Sequence, residues 1–540
     1  MKLYIFAIGG TGERVLRSFT MLLASGIKSF DAYEIFPIII DYDTKSGDKE
    51  RALNSLLNYT LLHNAAYKRN AGPKDNQFFG PEIKQVNGLD NFVLPYAPND
   101  GEKKFREHIG YGELNGATVN TKYLLDSMYD SSNQSTTELN LNMTKGFKGN
   151  PNIGSVVFHK LDETPVFQSF IDNYRPEAGD RIVIVGSLFG GTGASGIPEI
   201  VQAVKRVRAN AKIATLLIQP YFEPERINNA AVKGNMFFAK TKAALDYYRE
   251  SGLYEKISAI YHLGDYYRTT VPYCDGGENQ HNNANLIEVL AGMAIEHFIR
   301  LNLDAPHTDK EFSFSIQKDI ILNTDDNGNT ETKQVCRIYI QDFDEDSKSR
   351  IFEPLTKLAL ATKYVHDEIA TGKAATSFYS LLKLDKIKDK SKTSENFSNH
   401  LQDTCAHLSV FYDLFIQWLE ELDCSGDETK NIKPNSHRLA LFQMKKSYND
   451  LILIDNVSEI NNQNSSLMDK FTNYVKRQLQ NQKGSGISDD FLNARMNHYL
   501  HEKHCTADGK NLKPDVYPEF AFMDILHHVC DDAFNQLTKN

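Results

Sequence analysis

Two glycine-rich segments carry the residues best suited to chemistry: Ile8-Gly9-Gly10-Thr11-Gly12-Glu13 and Gly190-Gly191-Thr192-Gly193-Ala194-Ser195-Gly196. Glycine lets backbone N–H groups approach a ligand closely and turn inward, which suits phosphate. Each segment follows an apolar run and opens an amphipathic stretch, so a helix N-terminus would add partial positive charge. One such turn is a common packing solution. Two of them on neighbouring strands would open on the same edge of a parallel sheet. The first segment lacks GxGxxG spacing, which counts against a Rossmann-type dinucleotide enzyme, and GxxxxGKS/T occurs nowhere, which excludes a P-loop.

The elements that must position these loops follow from periodicity. Leu3–Ile8 reads as a buried strand, and Glu13–Ser25 as a helix with Val15, Leu16, Phe19, Leu22 and Leu23 on one face. Strands follow at Ile35–Ile40, Arg181–Val185, Lys212–Gln219 and Lys256–Leu263, and helices at Ser195–Arg208, Asn229–Glu250 and Asn283–Leu301. Such alternation predicts an α/β domain over 1–310, with a mostly parallel sheet and helices on both faces. Between about 45 and 145 the rhythm weakens, and Tyr129–Asn142 is rich in Ser, Asn and Thr, so a large surface insertion is expected. Residues 311–345 read as a β-hairpin, with Phe312–Gln317 and Val335–Asp342 flanking an Asp325-Asp326-Asn327-Gly328-Asn329 turn. Residues 346–540 read as a mainly helical domain, with amphipathic stretches near 351–370, 397–422, 436–453, 465–483, 489–504 and 517–537. Lys383–Asn396 and Asn456–Ser466 read as linkers.

The composition fits this plan. A chain of 540 residues should hold several domains, and 41% apolar with 24% charged residues is ordinary for a soluble globular protein. The net charge of −10 argues against a nucleic-acid partner gripped by the whole surface. Six scattered cysteines without a CxxC pair fit a reducing, cytoplasmic setting. No apolar run approaches the ~20 residues of a membrane-spanning helix, and Leu3–Ile8 is too short for a secretion signal. His498, His501, His504, Cys505, His527, His528 and Cys530 lack zinc-finger spacing and read as solvated or core side chains, not metal ligands. Asp41, Asp43, Glu223 and Glu225 read as turn carboxylates, and Tyr266-Tyr267-Arg268 as strand-end packing with an aromatic able to stack on a base.

Phe189-Gly190-Gly191-Thr192-Gly193-Ala194-Ser195-Gly196 resembles the GGGTG(S/T)G signature loop of the tubulin/FtsZ GTPases, with Pro198 where FtsZ-type sequences often carry proline. Further segments follow in the family's order. Ile5–Val15 resembles the first nucleotide loop, and Ile38–Thr44 the strand and acidic loop after it. Gly149-Asn150-Pro151-Asn152-Ile153-Gly154 is similar to the GANPEVG loop near the γ-phosphate. Lys212–Phe222, continuing through Glu223 to Arg226, resembles the strand and loop beside the ribose. Asn283–Leu301 resembles the long central helix whose first turn reads guanine, with Asn283 the best match and Asn285 the alternative. Leu301-Asn302-Leu303-Asp304 is similar to the NxD of the catalytic loop that reaches the next subunit of a filament. Departures occur at Phe189 for the first signature glycine, at Ser195 for the last, and at His307, where a second acid is expected and Asp309 is the nearest one left.

The resemblance covers about 1–44 and 145–310, and implies GTP or GDP with Mg2+. Gly9, Gly10, Thr11, Gly12, Asn150 and the stretch Gly190, Gly191, Thr192, Gly193, Ala194, Ser195 would cradle the phosphates. Asp43 would lie near them or their magnesium, through water. Glu223 and Arg226 would flank the ribose, and Asn283 or Asn285 the base. Asp304, with Asp309 in reserve, would act on a neighbouring subunit's nucleotide. The protein so implied is a divergent, bacterial, self-assembling GTP-binding protein. Its altered catalytic loop also admits a scaffold with little turnover, whose helical half binds a protein partner.

Overall fold

The computed structural model describes residues 1–68, 77–87, 89–94, 96, 103–129, 138–173, 179–226, 234–265, 269–274, 276–305, 309–314, 320–324, 330–334, 338–339, 343–370, 394–422, 439–440, 495–496, 498–507, 512–514 and 516–538. The strands of the first part are β1 (Lys2–Ile8), β2 (Glu34–Ile40), β3 (Thr144–Phe147), β4 (Arg181–Ser187), β5 (Ile213–Ile218), β6 (Phe222–Pro224), β7 (Ala259–Leu263), β8 (Thr269–Val271) and β9 (Glu311–Phe314). Six of them form one parallel sheet in the order β2-β1-β4-β5-β7-β9. The helices are α1 (Gly9–Ala24), α2 (Gly47–Tyr67), α3 (Pro151–Phe158), α4 (Gly191–Val207), α5 (Phe237–Glu250), α6 (Leu286–Arg300), α7 (Glu353–Ala370), α8 (Ser394–Leu422) and α9 (Pro518–Thr538).

The sheet is apolar on both faces because both are covered, so its strands are continuous apolar runs without alternation. Leu3, Ile5 and Ala7 of β1 join one core with α1, α2 and α6. Tyr4, Phe6 and Ile8 of the same strand join the opposite core with α3 and α4. Alternate side chains of one strand thus anchor the two layers. The strand–helix order expected from periodicity is present, with shifts of a few residues at most ends; the helix expected over Asn229–Glu250 begins at Phe237, and 227–233 lie outside the described residues.

Three expectations need correction. The segment from 45 does not begin as a surface insertion. Ser46 caps α2 by accepting from the Lys49 N–H, and Ala52, Leu56, Tyr59, Leu62, Ala66 and Tyr67 bury one face of the helix against α1. The many polar residues between them hide that stripe. Further along, Ile83 and Val93 bridge to Ile35 and Ile39 of β2, extending the sheet edge. Second, Phe312 belongs to the main sheet, and of its expected partner strand Val335–Asp342 only Ile338–Tyr339 lie within the described residues. Strand β9 joins the parallel sheet beside β7, where the Phe312 ring stacks on Tyr261 at 4.9 Å. The antiparallel pair is instead Ile320–Thr324 with Thr330–Gln334, on either side of the expected turn. Third, Leu439–Ala440, within the expected helix 436–453, pairs as a strand with Ile338–Tyr339. The stretch 465–483 and the linker Asn456–Ser466 lie outside the described residues.

The described C-terminal helices share the core of the sheet domain. Helix α8 packs on α2 and α7, and α9 on α2 and α7. Trp418 of α8 is fully buried and donates its indole N–H to Ser18 Oγ of α1 at 3.0 Å. No helix among the described residues is long and apolar enough to cross a membrane. Trp418→Ala should cost about 3–5 kcal/mol of stability, seen as a lowered urea midpoint. An unchanged midpoint would contradict the docking of α8 on α1.

Candidate functional site

The C-terminal ends of β1 and β4 deliver both glycine segments to one edge of the sheet. Close packing explains the glycines. A Cβ on Gly12 would lie 2.7 Å from the Ala7 carbonyl carbon, and one on Gly193 would lie 2.6 Å from Ser187 N. Helices α1 and α4 therefore start hard against their own strands, with their first N–H groups over the edge. A third segment, 145–150, running from β3 to the start of α3, faces them, and residues 271–274 and 276–282 form a strap along the opening. Together they line an open cleft of about 950 Å3, a volume that includes its mouth. Gly9, Gly10, Thr11, Gly190, Gly191, Thr192 and Gly193 all line it.

The cleft has distinct ends. At one end lie Asp41 and Asp43, just after β2, with Lys145, which meets Gly276 together with Asp43; Lys148 also lines the cleft, and beyond β5 lie Phe222, Pro224, Phe237, Val271 and Pro272. Phe189, in place of the first signature glycine, is buried against Phe237 with ring centroids 4.6 Å apart and against Phe222 at 5.5 Å. The departure thus supplies an aromatic wall. The strap is tied down by the Gly277 N–H, which donates to Asp43 Oδ2 at 2.7 Å, while Asp43 Oδ1 accepts from Lys45 N.

Arg14 lines the cleft and is 3% exposed. It donates to Asp48 Oδ2 at 2.7 Å, Glu288 Oε1 at 2.9 Å and the Tyr221 hydroxyl at 2.7 Å. Burial alone would lower its pKa, but Tyr221, Asp48 and Glu288 hold it well above the usual value. Arg51 links Asp48 to Glu421 of α8, and Glu421 also receives Arg17 at 2.6 Å and the Ala284 N–H at 2.8 Å. Three arginines and three carboxylates thus form one balanced cluster behind the cleft. A second buried pair sits beside it. Burial, together with repulsion between them, pushes Glu13 well above the usual carboxylate range and burial pushes Asp41 up to about 6.

The remaining expected site residues are placed as follows. Gly12, Ala194 and Ser195 pack the helix starts and do not line the cleft; Ser195 Oγ donates to the Gly191 carbonyl at 2.7 Å. Asn150 borders the cleft, its side-chain amide donating to the Phe147 carbonyl at 3.1 Å. Glu223 is half-buried between the lining residues Phe222 and Pro224, and Arg226 is exposed. Asn283 is exposed, whereas Asn285 caps α6 by accepting from the Ile287 N–H at 3.0 Å. The strap residues that do line the cleft are Gln280 and Asn282. Asp304 is exposed at the opposite end of the sheet, where Lys212, just before β5, pairs with it at 2.6 Å and lowers its pKa. Asp309 is exposed just before β9. His307 and Tyr266-Tyr267-Arg268 lie outside the described residues. His504, from the segment before α9, and His528 of α9 both reach Asp524 of α9, at 2.6 Å and 3.4 Å.

Arg14, Lys145, Lys148, Gln280 and Asn282 escaped sequence reasoning. Arg14 directly follows the first glycine segment, which was the available signal. A lysine before a glycine turn carries none.

The Asp41 shift has a testable sign. An unfolded Asp ionises near 3.8, so the folded state retains the proton longer, and stability falls as pH rises through about 6. Asp41→Asn should therefore gain stability relative to the natural chain between pH 4 and 7, measured by urea denaturation. A pH-independent difference would contradict the buried carboxyl pair. Comparison with known protein families matches none of them, and comparison with curated proteins finds no similar one.

Proposed function

We propose that the chain binds GTP, with magnesium, in this cleft as a tubulin/FtsZ-like protein that self-assembles in a nucleotide-dependent way. One observation carries the reading: two GGTG helix starts and the 145–150 segment converge on one edge of a parallel sheet, between a charged end and an aromatic end. That layout suits a nucleotide, with phosphates on the helix N-termini and the apolar part toward Phe222 and Phe237. Asp41 and Asp43 are the groups for magnesium. Since both Asp43 oxygens already accept backbone N–H bonds, contact through water fits better than direct ligation. The ion would neutralise phosphate charge.

Asp304 supports assembly. It stands at the far end of the sheet from the cleft, so an acid there reaches a nucleotide only on another copy. Its pairing with Lys212 favours the second reading, a scaffold with little turnover whose docked helical half binds a protein partner. A Rossmann-type dinucleotide enzyme remains the weakest reading, for want of GxGxxG spacing.

Cys274 lines the cleft and serves as a reporter. GTP with magnesium should slow its alkylation, mapped by peptide mass, far more than ATP does. Equal labelling with and without GTP would sink the proposal. Phosphate release per subunit should rise steeply with protein concentration if subunits activate one another. A flat, near-zero rate would favour the scaffold.

A further inference from the structure

The glycine segments offer backbone N–H groups but no full charge, and the chain as a whole carries −10. Charge for a polyanion must come from side chains at the cleft. Most nearby cations are already committed. Arg14 is held by Asp48 and Glu288, Lys45 pairs with Glu278, Lys49 donates to the Asp43 carbonyl, and Lys240 donates to the Gly149 carbonyl. Lys145 is different. It lines the cleft, is exposed, and among the described residues has no carboxylate partner. Its stem lies along the strap, with its Cε 3.7 Å from where a Gly277 Cβ would be and its Cβ 3.6 Å from that of Gly276.

The backbone around it is unusual. Gly146, Lys148 and Gly149 all have positive φ, at 69°, 46° and 74°. A lysine rarely adopts the left-handed region, and such residues cluster where function requires a particular chain path. Here the path brings Lys148 to the same cleft lining as Lys145, and sets Gly146 near the Thr192 hydroxyl, 3.7 Å from where its Cβ would be.

Position then assigns the part of the ligand involved. Along the sheet edge the aromatic wall follows β5, the glycine helix starts follow β4 and β1, and Lys145 stands with Asp43 by β2. A nucleotide with its base and sugar at the aromatic end runs its phosphates over the helix starts toward β2. The last phosphate is the group that reaches Lys145. Resting on the nucleotide reading above, we propose that Lys145, seconded by Lys148, binds the terminal phosphate and makes the cleft select nucleoside triphosphates over diphosphates.

The test is calorimetric titration of the full-length chain, with magnesium, using guanosine 5′-(β,γ-imido)triphosphate and GDP. Lys145→Ala should weaken the triphosphate analogue about tenfold or more, the scale of one charge-assisted contact. GDP affinity should change by less than about threefold on the same scale. Lys145→Arg should keep the preference, which guards against a folding defect, and Lys148→Ala should lose part of it. Equal loss for both nucleotides, or no loss for either, overturns the inference while leaving nucleotide binding intact. A natural chain that binds neither nucleotide overturns the nucleotide reading itself, and this inference with it.

Discussion

The buried guanidinium of Arg14 is the constraint around which the rest is arranged. It sits one turn into the helix that opens the first glycine segment, 3% exposed, and besides Thr11 of its own helix its partners come from three other elements: Asp48 from α2, Glu288 from α6, and Tyr221 from the loop before β6. Removing one partner of such a cluster leaves an uncompensated buried charge, which costs about 3–5 kcal/mol. The four elements are therefore held in one relative placement, and that placement sets the walls of the cleft. Through Arg51 and Glu421 the same cluster reaches α8, so the helical half is joined to the cleft by charge as well as by apolar packing.

The cleft divides its labour along the sheet edge. Backbone N–H groups of two helix starts occupy the middle, aromatic rings one end, and Lys145 with carboxylates the other. Glycines are needed where helix and strand nearly touch, and the burial of Phe189 converts a lost glycine into wall. The carboxyl pair Glu13 and Asp41 lies just beneath the charged end, where its protonation alters the local field.

Much of this was legible in the sequence, and the reasons are physical. Apolar runs such as Arg181–Val185 are long enough to be buried on both faces, so the parallel sheet followed from them. The glycine segments were legible because close helix–strand approach leaves little choice of residue. Helix α2 was not, because polar residues occupy buried positions (Asp48, Lys49, Ser55 and His63) while Leu57 and Leu61 are exposed, which blurs the visible stripe. Nor was the strap, whose Gly276, Gln280 and Asn282 have no local period and acquire meaning only from what they line. Asn285 shows the limit of reasoning by residue type: an Asn before a helix fits base recognition and capping equally, and its side chain accepts from Ile287.

The central claim is that the cleft holds a guanine nucleotide. Its most direct test is to denature the freshly purified full-length protein and identify any released nucleotide by chromatography, before and after incubation with equal GTP and ATP and removal of the excess. GDP or GTP in near-stoichiometric amount, with guanine favoured over adenine after incubation, is the result predicted. Release of no nucleotide under either condition, or of a nicotinamide or flavin dinucleotide, would contradict it.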